Sequence, residues 1–499
     1  MIKYSFLTAK NGSIVPALLQ PCGNTKPLHS TIDPVREAQK LLATIPEDTG
    51  FIVFLGLGGG FAPLAALDSG ARVAVIDFDK SAVNQLLASK DYSQLVNNQN
   101  FTLLTDPANG EIQNFILNNY KPAIHGGIRI FPLRTRTDQD KELFEAAAAE
   151  IQKAIENTGG DYSVQAYFGK RWFCNIIRNI ANFPNNEAYN FFSKYIKDAA
   201  IVAAGPSLDT QIEELAKHKT RGTFIICSDT AIGVLLHNGI KPDAVVSIDC
   251  QHISYFHFLG YNISGIPLIL DIASPPMLGL FSSAPLWVAS GHPLARYLCA
   301  KWAALPCLDT SGGNVTYACL SLAENLGAQN ITLFGADFAY AQNRTYAKGT
   351  YVYPYFEKKQ NRFASLEAQL SAFLYRNPFL PAEPGQKYKE TAQLKFYRNK
   401  LEEKTGITIM PGQGKPVQIL LSANKKVQET QNLIKQGCSP IEFLNNYRKD
   451  ITAAETNSEV FTTLLPYAAF IKHRNPGLKG KDLIEETKQC CIEEIDRVI

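Results

Sequence analysis

The sequence predicts a protein of the α/β class, with two parallel-sheet units and a helical C-terminal region. Three observations carry this. Short apolar runs recur, each ending in a glycine turn or an aspartate and each followed by a helix start, which is the grammar of parallel strands joined by crossovers. These runs hold few polar residues, as strands buried on both faces require. After Pro354 the pattern changes to charged residues with apolar ones at helical spacing.

The elements follow in chain order. Gly50–Leu55 is a strand, Gly56-Leu57-Gly58-Gly59-Gly60 a turn, and Phe61–Asp68 a helix start. Ala71–Ile76 is the next strand, ending in Asp77 and Asp79. A glycine turn with an acid about 20 residues on is the pattern of a Rossmann-type unit. By the dinucleotide pattern, Phe61 stands where the third glycine belongs. By the methyltransferase pattern, Gly56, Gly58 and Gly60 match but Phe54 replaces the usual acid. Residues 1–137 are therefore expected to be a Rossmann-like scaffold with no bound cofactor.

Residues 138–197 read as a helical connector. Asp140–Asn157 carries the run Ala146–Ala149, and Tyr167–Phe183 carries Trp172, Phe173 and Ile176. Lys170 and Arg171 are candidate contacts to a sugar carboxylate or phosphate; the plainer reading is a solvated face.

The second sheet opens with Ile201–Ala204, which feeds into Gly205-Pro206-Ser207 and a helix start at Asp209–Leu215. A glycine turn between a strand and a helix N-terminus favours phosphate. Gly222–Asp229 is the next strand, ending in Ser228-Asp229. After the turn Gly239–Asp243, the strand Ala244–Asp249 ends in another acid, followed by Cys250, Gln251 and His252. Pro267–Asp271 makes a third strand ending in aspartate. Acids at the carboxyl ends of parallel strands stand where such sheets bind ligands; as plain structure they cap the next helix. Ser311-Gly312-Gly313-Asn314 then precedes a small apolar helix and supplies donors for an oxyanion. Asn330–Gly335 is a strand followed by Asp337. The segment Tyr340–Tyr355, with Tyr346, Lys348, Tyr351 and Tyr353, reads as a long loop suited to cover a substrate.

Four motifs together carry a resemblance: Gly205-Pro206-Ser207-Leu208; the turn Gly239–Asp243 before Ser247-Ile248-Asp249; Gly312-Gly313-Asn314-Val315; and Gly335-Ala336-Asp337 with Thr345–Thr350. Over roughly residues 195–355 they resemble the motility-associated factor (Maf) glycosyltransferases. Those proteins are similar to a wider set that includes a 6-hydroxymethylpterin diphosphokinase, and their central domain is similar to sialyltransferases that use a CMP-sugar. Tyr346 departs from the histidine that relatives often carry in this pattern. The resemblance implies a Rossmann-like, sialyltransferase-like catalytic domain over residues 198–355. It implies transfer of a nonulosonic acid, of pseudaminic or legionaminic type, from its CMP-activated donor to Ser or Thr of flagellin in the cytoplasm. Such a reaction needs a grip on the nucleotide and a base for the acceptor hydroxyl. The nucleotide set is Gly205, Pro206, Ser207, Ser228, Asp229, Ser311, Gly312, Gly313, Asn314, Tyr346 and Lys348. The candidate catalytic groups are Asp249 and Asp337, with His252 and His292 as alternative bases. The aspartates permit a divalent metal; no other cofactor is implied. Two alternatives stay open: a diphosphokinase-like pyrophosphoryl transferase using Mg-ATP, and an assembly factor that has lost catalysis.

Residues 356–499 are expected to be a helical domain, with helices over Asn361–Tyr375, Glu390–Lys404, Leu421–Lys435, Pro440–Thr456, Glu459–Lys472 and Lys481–Val498. Composition agrees with a large enzyme: 499 residues, 45% hydrophobic and 19% charged. A net charge of +3 gives no reason to invoke nucleic acid. The ten cysteines show no paired Cys-x-x-Cys spacing, so zinc is not expected. The N-terminus lacks a basic-then-apolar signal pattern. The least charged stretch, Ile272–Ala295, holds Pro275, Pro276 and Pro285 and does not read as a membrane span.

Overall fold

Both predicted parallel sheets form. The computed structural model describes residues 2–20, 23–89, 92–183, 188–412, 414–421 and 437–499. They make two compact units: residues 1–169 with 465–489, and residues 170–464 with 490–499.

The first unit begins with an antiparallel sheet of β1 (Tyr4–Thr8), β2 (Ile14–Leu19) and β3 (Thr25–Pro27). Its main sheet holds β4 (Thr49–Leu55), β5 (Arg72–Asp77), β6 (Phe101–Thr105) and β7 (Gly127–Pro132) in the order β6-β5-β4-β7, all parallel. Alternate residues go to opposite faces. Ile52, Phe54, Val73 and Val75 pack against Ala66, Val83 and Leu86. Phe51, Val53, Leu55, Ala74 and Ile76 pack against Ile112, Ile116, Phe144 and Ile151. Both faces are covered, which explains the unbroken apolar strands.

The second unit contains β8 (Asp198–Val202), β9 (Phe224–Ser228), β10 (Ala244–Ser247), β11 (Leu268–Asp271), β12 (Leu286–Val288), β13 (Asn330–Phe334), the short pair β14 (Tyr340–Ala341) and β15 (Tyr388–Lys389), and β16 (Val417–Leu420). The large sheet runs β12-β11-β10-β9-β8-β13-β16, parallel except for β16. Strand order reverses at β8: successive strands are added on one side up to β12, and β13 then returns to the other. The crevice beyond the carboxyl ends of β8 and β13 is thus the topological switch point, where open sheets of this kind bind ligands.

The expected segmentation is corrected in three places. The connector is one helix, Lys141–Ala181, that belongs to the first unit up to Gly169 and to the second from Lys170. Gly159 and Gly160 do not break it; each costs roughly 1 kcal/mol against alanine, offset by the burial of Ile151, Ala154, Phe173, Ile176, Ile177 and Ile180. Residues 356–499 are not a separate helical domain: β16 completes the large sheet, and residues 465–489 belong to the first unit. There Gly169 admits the helix Glu459–Arg474, since a Cβ on it would lie 1.7 Å from the Pro466 carbonyl oxygen. The segment Tyr340–Tyr355 is not wholly a loop, because Val352–Glu357 is helical. The expected helix over Leu421–Lys435 falls on residues 422–436, outside the described residues. No helix among the described residues is long and apolar enough to cross a membrane.

Candidate active site at the carboxyl edge of the large sheet

The turns after β8 and β13 are zipped together. Ala203 N donates to Phe334 O, Gly205 N to Gly335 O, and Ser207 N to Asp337 Oδ2, each at 2.8 Å. A Cβ on Gly205 would lie 2.3 Å from that Oδ2 and 2.4 Å from the Gly335 carbonyl. The glycine is needed because two loops touch. This corrects the phosphate reading of Gly205, Pro206 and Ser207. Proline has no N–H, and the amides of Leu208, Asp209 and Thr210 donate to the carbonyls of Gly205, Pro206 and Ser207. Asp337, buried, occupies the start of helix Leu208–Thr220 where an anion was expected. Burial pushes its carboxyl up, against the pull of the Ser207 hydrogen bonds and Arg344.

The second glycine turn keeps its donors. Asn314 caps helix Val315–Asn325, accepting from Tyr317 N at 3.0 Å, and Ser311 is held by Asp309. Burial raises the Asp309 carboxyl, but hydrogen bonds from Ser311 and Lys404 outweigh it and hold it near about 2. Gly313, at φ +72°, has Tyr397 where a Cβ would go, and Gly312 has Tyr317. Among the described residues the amides of Gly312, Asn314, Val315 and Thr316 have no hydrogen-bond partner. That leaves an unfilled cluster of donors at a helix start, the arrangement suited to an anion.

Beside it lie two acids from adjacent strands. Asp229, after β9, is 2% exposed. It accepts from Ser247 Oγ and Thr230 N, both at 2.7 Å, so it is fully engaged. Asp249, after β10, is half-buried and is held by Gln251 N at 2.9 Å. Burial pushes its carboxyl up, and the Asp229 charge adds to this, while Gln251 pulls it down. Ser228 Oγ is buried with no hydrogen-bond partner among the described residues.

The insertion between β13 and β16 rims this edge. Asp209, in the first turn of helix Leu208–Thr220, pairs with Arg344 and accepts from Lys348 N at 2.9 Å, fixing the segment between them. Ala347 N donates to Ala204 O at 2.9 Å. Tyr346 and Tyr351 lie 6.5 Å apart, centroid to centroid. Burial, with the charges of Asp229 and Asp249, pushes the Tyr351 hydroxyl up to about 12 despite Arg376. Tyr346 moves the same way, and burial, with a smaller push from Asp249, raises Tyr397 against the pull of Gln393. These groups therefore share one electrostatic neighbourhood. The Lys348 side chain is exposed.

The other candidates have partners or surroundings of their own. His292 caps helix Pro293–Lys301: its Nδ1 accepts from Leu294 N at 3.2 Å, so the neutral ring carries its proton on Nε2 and has no free lone pair. Burial also lowers it to about 4. It is a cap and not a base. His252 is exposed. Lys170 pairs with Glu494 at 3.6 Å, and Arg171 hydrogen-bonds the Cys250 thiol. Sequence reasoning missed His257, which is buried, meets Tyr351 edge-on at 4.5 Å and pulls on Asp249; it also left Tyr397 and Arg376 unassigned. Nothing local separates His257 from His252, because burial distinguishes them. Among the described residues, no group of three or more His, Cys, Asp or Glu side chains is placed to hold a metal.

The glycine turn of the first unit is filled by the protein itself. Gly59 N donates to His29 Nε2 at 2.8 Å. A Cβ on Gly56 would meet Arg136, one on Gly58 would meet Leu133 and His29, and one on Gly60 would meet Tyr92. Asp77, the acid at the end of β5, accepts from the buried Arg136 at 2.6 Å and from Leu57 N at 3.2 Å. Beside the turn lies a cavity of about 280 Å³ lined by Leu28, His29, Leu41, Phe54, Gly56 and Phe131 among others.

Residues 174–343 match the family described as 6-hydroxymethylpterin diphosphokinase MptE-like. Two uncharacterized proteins of Treponema pallidum (strain Nichols) are similar: one is 35% identical over 119 residues, 23% of this chain and 42% of that relative. The other is 30% identical over 171 residues, 33% of this chain and 78% of that relative. The aligned part thus spans about two fifths of the first. A solved structure described as a MAf glycosyltransferase from Magnetospirillum magneticum AMB-1 superposes with a TM-score of 0.50 at 13% identity, covering 99% of this chain and 90% of that one.

Proposed function

Taking as premise that the chain belongs to the MptE-like family and has the fold of a Maf glycosyltransferase, we propose that it is a glycosyltransferase. Its substrates in this reading are a CMP-activated nonulosonic acid and Ser or Thr of flagellin, met in the cytoplasm. One observation supports it above the others: the free amides of Gly312, Asn314, Val315 and Thr316 adjoin Tyr397, which feels the charge of the half-buried Asp249. An anion-binding cradle and a carboxylate of raised proton affinity thus share one edge.

The reaction assigns a task to each. The acceptor oxygen attacks the anomeric carbon, and the bond from that carbon to the phosphate oxygen breaks. CMP leaves with the electron pair, its phosphate charge met by the amides of the cradle. The hydroxyl proton passes to Asp249, whose burial makes it a stronger base than a solvated carboxylate. Asp337 positions the Gly205–Ser207 turn. Calorimetry with CMP, CDP and Mg-ATP tests the reading: binding of the cytidine nucleotides is expected. ATP binding with Mg²⁺ and no CMP binding would favour the second reading, a pyrophosphoryl transferase, which the family match supports.

A further inference from the structure

In the first unit the protein's own side chains fill the glycine turn at the carboxyl edge of the sheet. The amino edge holds a cavity of about 750 Å³. It lies against Thr49 and Gly50 at the start of β4, Ala71 just before β5 and Gly127 at the start of β7. Every residue that lines it belongs to this unit, and its volume is that of a small-molecule site, roughly 300–1,000 Å³. One wall is the helix Lys141–Ala181, which presents Ile155, Gly159 and Tyr162, spaced four and three apart and so on one face. A Cβ on Gly159 would meet nothing within 4 Å. Packing demands Gly169 but not this glycine, which leaves space one turn before the Tyr162 ring at a cost in helix propensity. A second wall carries Glu47 and Asp48, and a third Lys472 and Lys479. Lys472 Nζ donates to the carbonyls of Pro476 at 2.6 Å and Leu478 at 2.7 Å, which uses two of its three hydrogens. Among the described residues none of these four charged side chains is in an ion pair, although both signs line one cavity. Burial and the like charge of Lys479 lower the Lys472 ammonium, a repulsion that an anion relieves.

We propose that this cavity is a binding site for a nucleoside monophosphate, separate from the amide cradle of the second unit. The phosphate is held by Lys472 and Lys479, since an ammonium meets a phosphate as a point charge. The ribose hydroxyls donate to Glu47 and Asp48, the task that acids perform in nucleotide sites. The base stacks on Tyr162 in the space that Gly159 leaves, because every base has a face for an aromatic ring. A bare anion would leave the carboxylates and the ring without a task, and a simple amine would leave the lysines without one. The ligand bridges residues 47–162 and residues 472–479, so its binding also joins the two chain segments that make this unit.

The test is calorimetry on the full-length protein with AMP, GMP, CMP and UMP, and with ribose 5-phosphate and inorganic phosphate. Gly159→Leu fills the space. Gly160→Leu is its control, since a Cβ there also meets nothing within 4 Å and the residue does not line the cavity. Both replace a glycine inside a helix, so both should raise the first unit's melting temperature by about 2–4 °C, which shows that they are folded. At least one nucleotide should bind wild type and Gly160→Leu alike, and Gly159→Leu at least about tenfold more weakly. Lys479→Met, at an exposed position, should weaken the same nucleotide by about tenfold. Nucleotide held at the amide cradle is common to both glycine variants and cancels, so the outcome is independent of the glycosyltransferase reading. The proposal fails if no nucleotide binds, if the two glycine variants bind every nucleotide alike, or if ribose 5-phosphate or inorganic phosphate binds as tightly as the nucleotides.

Discussion

Gly205 has no space for a methyl group, because backbone and carboxylate atoms of the facing loop stand within 2.4 Å of where it would go. Gly205→Ala should lower stability by about 1–3 kcal/mol, read from urea denaturation, by prising Asp337 from Ser207. Asp249→Asn keeps shape but cannot take the proton. Turnover in a flagellin glycosylation assay should fall ~10²–10⁴-fold while CMP affinity stays within a few-fold; near-normal turnover would move the base elsewhere, with His257 next. Asp271 supplies a pH prediction. Burial pushes its carboxyl up to about 6. A raised folded-state value means that protonation favours the fold, so this contribution is full below about pH 4 and is lost as pH rises through about 6. Between pH 7 and 4 wild type should gain on the order of 2–3 kcal/mol relative to Asp271→Asn, measured by denaturation at each pH. The aspartates themselves were legible in the sequence as strand-end acids. Their division of labour was not, because Asp229, Asp249 and Asp337 differ only in what folds around them.

At the scale of elements, the long helix reaches the site through two asparagines one turn apart. Asn175 Nδ2 donates to the carbonyls of Cys250 (3.1 Å) and Ala273 (2.8 Å), and Asn179 Nδ2 to those of Ile272 and Ser274, both at 2.8 Å. These carbonyls belong to the loops after β10 and β11. Asn175→Leu should cost about 1–3 kcal/mol by stranding buried acceptors, and should raise KM by loosening the Asp249 loop. The filled glycine turn makes an opposite kind of element, built as a binding motif and used as core. Arg136→Met leaves Asp77 buried without its cation, at an expected cost of about 3–5 kcal/mol; adding Asp77→Asn should recover part of it in the same melts. The turn and the strands could be read from the sequence. Arg136 could not be assigned, since it is distant in the chain and its spacing matches no motif.

For the whole molecule, the class and both parallel sheets were legible because buried strands and glycine turns are local signals. The division into units was not. Val417–Leu420 is too short a run to announce an edge strand after so many helical residues, and no local pattern says that residues 465–489 complete the first unit. A chain ending after Leu464 should lose that unit's cooperative transition in calorimetry and become sensitive to protease around Tyr162 and Ala166, which pack in a cluster with Ala468 and Ala469. The same arrangement constrains the order of events during synthesis. Residues 1–169 lack the segments that complete their unit until residues 465–489 emerge, roughly tens of seconds later at ordinary elongation rates. A nascent chain therefore carries an unfinished apolar face throughout translation of the large sheet, and a cell that slows its ribosomes lengthens the period in which that face can meet the wrong neighbour.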